Sequence, residues 1–272
     1  MAIGKLIQWL RGTKEIRPLP DKLWQETIAA LPFLDRLTRE EKSRLRSLAE
    51  AFLAEKEFTA AGGLEITDPI CVSIAVQGCL PILNLGLESY RNWVGVIVYP
   101  DEFIIPRSVE DEYGVVHDYN DVASGEAWDG GPVIVSWHDA QMAGSGYNVV
   151  IHEFAHKLDM LGGDANGLPP LPDGLSRRQW EETLLAAYDD FCAKVAEAET
   201  AGAADDEEDG QDQDDGGRCA HLAFDPYGAE NPGEFFAVMS EAFFETPDVL
   251  REDYPALYAQ FSRFYRQDPA AR

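Results

Sequence analysis

Two histidines four residues apart flank a glutamate in the run His152-Glu-Phe-Ala-His156. That spacing calls for a helix, because residues four apart stand one turn above each other on the same face. Both imidazoles then reach one cation from the same side. The surrounding sequence, Asn148-Val-Val-Ile-His-Glu-Phe-Ala-His-Lys-Leu-Asp159, has a helical pattern in which Val149, Val150, Phe154 and Leu158 are available for packing. A helix is expected from about 148 through 161, ending at Gly162-Gly163. Glu153, next to the first histidine, is placed to contact a water on the metal rather than the metal itself. Zinc lowers the pKa of such a water to about 7, and a neighbouring carboxylate can take its proton and later deliver it to a leaving amine.

A catalytic zinc needs a third protein ligand and an open position. The metzincin pattern would require glycine at position 159 and histidine at 162. The chain has Asp159 and Gly162, which excludes that class. Asp159 remains a candidate, one turn after His156 on the ligand face, and Asp164 follows the helix. A stronger candidate is a glutamate on a second helix. Glu234 leads, and Glu241 interrupts, the run Phe235-Phe-Ala-Val-Met-Ser-Glu-Ala-Phe-Phe244, which is too apolar for a surface helix. A carboxylate in such surroundings is costly unless it is paired or metal-bound. The two glutamates are seven residues apart and share a face, so this reasoning leaves both open.

The rest of the chain reads as a mixture of helices and short strands. From Asp21 to about Phe58, Leu23, Trp24, Ile28, Leu31, Leu34, Leu37, Leu45, Leu48 and Phe52 recur mostly at helical spacings. Pro32 separates a shorter helix from a longer one that starts at the capping box Thr38-Arg-Glu-Glu41. A further helix is expected from Asp68 to about Leu83. Strands are expected at Val94-Gly-Val-Ile-Val-Tyr99, Val115-Val-His-Asp-Tyr119 and Val133-Ile-Val-Ser-Trp137. Residues 177–200 and 255–266 read as helices. The segment 201–217 holds eight acidic residues and no large apolar side chain, and reads as a solvated, flexible insert. It lacks the ligand spacing of an EF-hand, so a calcium site is not assigned to it.

The chain has 272 residues, enough for one substantial core or a main core with a small appendage. We expect a helical N-terminal segment, 1–60, packed on a catalytic domain, 61–272. No stretch approaches the roughly 20 apolar residues needed to span a bilayer. Residues 1–11 read as a short amphipathic segment rather than a secretory signal. A net charge of −27, from 22 basic and 49 acidic residues, argues against direct binding to nucleic acid. It leaves room for a protein partner that binds DNA and carries a basic face. Cys71, Cys79, Cys192 and Cys219 form no CxxC pair and read as buried thiols, which fits a cytoplasmic protein.

Two segments taken together, His152-Glu-Phe-Ala-His-Lys-Leu-Asp159 and Tyr227-Gly through Glu234-Phe-Phe-Ala-Val-Met-Ser-Glu241, resemble the Mlc titration factor A family of bacterial zinc peptidases. The likeness extends from the N-terminal helices to Tyr254-Pro-Ala-Leu-Tyr258, and the acidic insert is its main departure. The catalytic domain of anthrax lethal factor is similar at a greater distance. The resemblance implies an α+β, zincin-like metallopeptidase domain with an active-site helix, a small mixed sheet and additional N-terminal helices. It implies Zn2+ held by His152, His156 and Glu234, which ranks Glu234 above Glu241. Glu153 would be the general base, and Tyr227 would aim its hydroxyl at the oxyanion. Asp159 would orient a ligand histidine.

The implied substrate is a peptide, with terminal trimming and internal cleavage both open. A DNA-binding transcriptional repressor of the Mlc type is an implied partner. A non-catalytic zinc protein that sequesters such a repressor is the alternative. His138 and His221 lie in loop-like sequence and read as ordinary polar residues. The strand at 133–137 stands either as a plain core strand or as an edge strand that pairs with an extended substrate.

Overall fold

The computed structural model describes residues 16–110, 116–144, 146–209 and 222–272. The expectations for 1–11, His221 and Cys219 lie outside these residues. The chain forms two compact units, one of residues 1–144 and 148–157, the other of 145–147 and 158–272.

In the first unit, α1 (Asp21–Ala29) and α2 (Arg39–Glu55) are joined by a 3-10 turn at Pro32–Arg36. The expected capping box is present. Thr38 Oγ1 accepts the Glu41 N–H at 3.2 Å, and Glu41 Oε2 accepts the Thr38 N–H at 2.9 Å. Such a reciprocal cap satisfies donors that the first helical turn leaves open. Helix α3 (Asp68–Cys79) is buried over nearly all its length, as its continuous apolar sequence demands.

The unit's main sheet has four strands, β1 (Glu57–Ala60), β2 (Gly95–Tyr99), β5 (Gly125–Ala127) and β6 (Val133–Ser136). Their order is β1-β2-β6-β5, with β1, β2 and β6 parallel and β5 antiparallel to β6. A separate antiparallel pair, β3 (Phe103–Glu110) and β4 (Val116–Ala123), precedes β5. The structure decides against the edge-strand reading of 133–137. Strand β6 lies between β2 and β5 and is buried throughout, so its backbone groups already face protein on both sides. The short helix α4 (Trp137–Ala140) follows it, and α5 (Val149–Asp159) is the helix of the histidine pair.

Phe52, Tyr90, Trp93 and Phe154 form one aromatic cluster, with ring centroids 5.3–6.5 Å apart. Phe154 brings α5 into it. Gly78 of α3 makes room, since a Cβ there would stand 2.2 Å from the Phe154 ring. The Lys56 ammonium lies 4.2 Å from the Trp93 ring centroid and donates to the carbonyls of Tyr90 and Trp93. Burial lowers its pKa to about 8.

The second unit is helical. Helix α6 runs Arg177–Asp209, α7 Pro232–Glu245, α8 Pro247–Asp253 and α9 Pro255–Tyr265. The helix expected to stop near residue 200 continues through the first part of the acidic run. Ala201, Ala203 and Ala204 there are the best of helix formers. Residues 210–217 of the insert lie outside the described residues. The apolar run is buried as expected, and packs Phe236 against Trp180, Phe261 and Phe264, and Phe243 against Tyr265. No helix among the described residues is long and apolar enough to cross a membrane.

Candidate metal centre

Asn148 starts α5. Its side-chain oxygen accepts the Ile151 N–H at 2.9 Å, and its carbonyl accepts the His152 N–H at 3.0 Å. Every residue of α5 is buried, including His152, Glu153 and His156. The helix turns its two imidazoles toward each other, with the Nε2 atoms 3.2 Å apart. Two nitrogens bound at about 2.0–2.1 Å to one tetrahedral zinc would lie about 3.3–3.4 Å apart. The pair therefore has the spacing that a shared ion requires.

Helix α7 begins with Asn231 as its cap, whose side-chain oxygen accepts the N–H groups of Gly233 and Glu234 at 2.9 and 3.1 Å. Pro232 occupies the first helical position, where its missing N–H costs nothing. Glu234 follows in the first turn, half-buried. Among the described residues one group of metal-capable side chains comes together: His152, His156 and Glu234, with one ligand atom from each within 4.8 Å of the others. Two nitrogens and a carboxylate oxygen are a donor set suited to zinc, and they leave a tetrahedral position open.

Glu241, Asp159, Asp164 and His138 are not in that group. Glu241 and Asp159 are both buried. Asp159 Oδ2 accepts the Gly167 N–H at 2.6 Å. His138 sits on α4.

Tyr227 lies in a 3-10 turn at Pro226–Ala229, capped by Asp225, whose Oδ1 accepts the Tyr227 N–H at 2.9 Å. Its neighbour Gly228 lets that turn close onto α6 and α7. A Cβ there would be 3.3 Å from both Phe191 and Val238. The Tyr227 side chain stays exposed.

A residue that sequence reasoning missed is Gly125, on the sheet edge beside Glu153. A Cβ at Gly125 would stand 2.3 Å from Glu153 Oε1, so that carboxylate lies directly against the strand's backbone. The carbonyl of Ser124 accepts the Ser136 N–H, and Trp128 N–H donates to the Pro132 carbonyl. These alternate residues turn toward β6, so the N–H and C=O groups of Gly125 and Ala127 point to the outer edge. Lys157 secures the turn after β5 by donating to the carbonyls of Trp128 and Gly131. The available signal was a glycine within an extended segment, which marks a close backbone approach.

An HExxH helix joined by a carboxylate from another helix is the donor set of the metallopeptidase class. The model of the family described as glucose-regulated metallo-peptidase M90 matches residues 6–266. The chain is 39% identical over 274 residues to the Mlc titration factor A of Salmonella arizonae, covering 98% of this chain and 99% of that protein. It is 38% identical over 272 residues to the proteins of that name from Salmonella typhi and Salmonella typhimurium, covering 98% of this chain and 94% of each. The chain belongs to this metallopeptidase family, as its two motifs led us to expect.

Proposed function

We propose that the chain hydrolyses peptide bonds using a zinc ion held by His152, His156 and Glu234. The observation that carries this reading is the approach of one ligand atom each from His152 and His156 of α5 and Glu234 of α7 to within 4.8 Å of one another, with Glu153 buried on the same helix as the histidines. Zinc, when bound, supplies a Lewis acid that draws the pKa of a water down to about 7 and polarises a carbonyl. Glu153 takes the proton of the attacking water on its carboxylate and returns it to the departing amine. The Tyr227 hydroxyl donates to the oxygen that becomes negative as the carbonyl carbon turns tetrahedral. An extended peptide adds to the sheet along β5, pairing with the outward N–H and C=O groups of Gly125 and Ala127.

Metal content measured beside cleavage of a peptide panel, covering blocked and free termini, tests this. Glu153→Gln is expected to keep its zinc and lose about 10²–10⁴-fold in kcat. Hydrolysis undiminished in zinc-loaded Glu153→Gln would refute the mechanism.

A second reading is compatible with the first and draws on the relatives' name, Mlc titration factor A. The chain would bind a DNA-binding repressor of the Mlc type and so regulate sugar-uptake genes. Its charge of −27 complements the basic face that such a repressor carries. This binding would not need Glu153. A titration against an Mlc-type repressor should give the same affinity for wild type and Glu153→Gln, weakening with salt. Absence of binding at low salt would remove this reading. A cytoplasmic location suits both roles and the buried thiols of Cys71 and Cys79, whose pKa values burial raises.

A further inference from the structure

The segment linking α5 to α6 passes over the first turn of α7. Asp159, the last residue of α5, is fully buried, and its Oδ2 accepts the Gly167 N–H in a short hydrogen bond of 2.6 Å. The carbonyl of the same Gly167 accepts Trp180 Nε1–H at 2.8 Å. Gly167 has φ +76°, and a Cβ on it would lie 2.7 Å from the carbonyl oxygen of Pro232 and 2.5 Å from Leu184. The approach is as close from the other side, where a Cβ on Gly233 would lie 2.6 Å from the Ala165 carbonyl oxygen. Pro232 and Gly233 are the first two residues of α7, and Glu234 is the third.

Backbone therefore rests on backbone at the start of α7. A displacement of the 165–167 segment toward α7 meets the backbone of Pro232 and Gly233, which cannot yield by a change of rotamer as the neighbouring Leu184 side chain can. It passes to the first helical turn and to the carboxylate that the turn carries. A buried carboxylate is also costly unless it is hydrogen-bonded, so Asp159 holds Gly167 firmly.

We propose that Asp159 is a positioning residue for Glu234, acting through Gly167 and the first turn of α7. This rests on the reading of Glu234 as a zinc ligand. It assigns Asp159 a task beyond the orientation of a histidine that the family resemblance suggested.

Zinc affinity of the full chain, measured by competition with a chromophoric chelator, tests the proposal without recourse to activity. The variants are Glu234→Ala, Asp159→Ala, Asp159→Asn, Gly167→Ala and the double variant Asp159→Ala/Glu234→Ala, each checked for folding by a thermal melt without metal. Asp159→Ala should weaken zinc by about 10–100-fold, the range for residues that support ligands from behind. Asp159→Asn keeps an oxygen that can accept the Gly167 N–H and should retain most of the affinity. In the Glu234→Ala background the Asp159→Ala loss should vanish.

An equal loss from Asp159→Ala in both backgrounds would show that Asp159 acts on the histidines, and would overturn the proposal. So would wild-type affinity in folded Asp159→Ala. If Asp159→Ala does not fold, Gly167→Ala decides, since it disturbs the same contact with Asp159 intact. Weakened zinc there supports the proposal, and wild-type affinity or failure to fold overturns it. If Glu234→Ala itself binds zinc like wild type, the ligand reading falls and the proposal with it. If Glu234→Ala weakens zinc and Asp159→Ala does not, only the proposal falls.

Discussion

Replacing Gly125 with alanine adds one methyl group at the point where the sheet edge meets Glu153, the proposed base. The added carbon would stand 2.3 Å from Glu153 Oε1, 2.7 Å from its Cγ and 2.8 Å from its Cδ. Ordinary contact lies near 3.5–4.0 Å, so about 1 Å of separation must be found. The strand is poorly placed to yield it, because β5 is paired to β6 and the turn after it is held by Lys157. The Glu153 side chain must move instead. A displacement of about 1 Å at a reacting group costs on the order of 10²-fold in rate, and overpacking of this kind costs about 1–3 kcal/mol of stability. Zinc affinity should stay at the wild-type value, since Glu153 is not among the ligands. The assay is kcat and KM for a cleaved peptide, with zinc affinity and a thermal melt on the same preparation. A folded, zinc-loaded Gly125→Ala with wild-type kcat would refute the reasoning. Loss of zinc alongside loss of rate would show that the helix, rather than the Glu153 side chain alone, had moved.

Tyr227→Phe removes the proposed oxyanion donor while leaving the ring, and should lower kcat by about 10²–10³-fold with little change in KM. A kcat within two-fold of wild type would remove Tyr227 from the mechanism. Burial lowers the Lys56 pKa from 10.5 to about 8, so between those values the unfolded chain binds more protons than the folded one. Stability contributed by Lys56 therefore rises with pH across that window and is flat below it. The melting temperature of wild type relative to Lys56→Met should climb from pH 7.5 to 10, and a constant difference would contradict the buried ammonium. Gly78→Ala gains about 1 kcal/mol in helix propensity. Its Cβ would meet three atoms of the Phe154 ring at 2.2–2.6 Å, an overpacking that costs about 1–3 kcal/mol, so the net result should be a loss of up to about 2 kcal/mol, read by denaturant melting. Net stabilisation would mean that the aromatic cluster has slack.

Local chemistry makes much of this protein legible from short stretches of its sequence. The spacing of His152 and His156 defines a helix face, and the capping box at Thr38 and Glu41 marks a helix start, because both depend only on residues within one turn. The burial of α7 follows from its composition alone. Short strands were less legible. β1 and β5 have four and three residues, too few for a period to show, and Pro106 interrupts the strand pattern of β3. A strand at 133–137 is legible from its residues, yet its inner place in the sheet depends on β5, a partner that those residues do not specify.

Glu234 and Glu241 illustrate the same division at the site. They share one helix face, so local reasoning sees two equal carboxylates, and only their places in space bring one of them within ligand distance of the histidines. Local pattern specifies the side chains available: two imidazoles, the carboxylate of Glu153 beside one of them, and a further carboxylate to complete the set. Packing selects which carboxylate joins them, and it lays a glycine edge strand against Glu153. Those outcomes depend on contacts between residues far apart in the chain, and no local pattern encodes them.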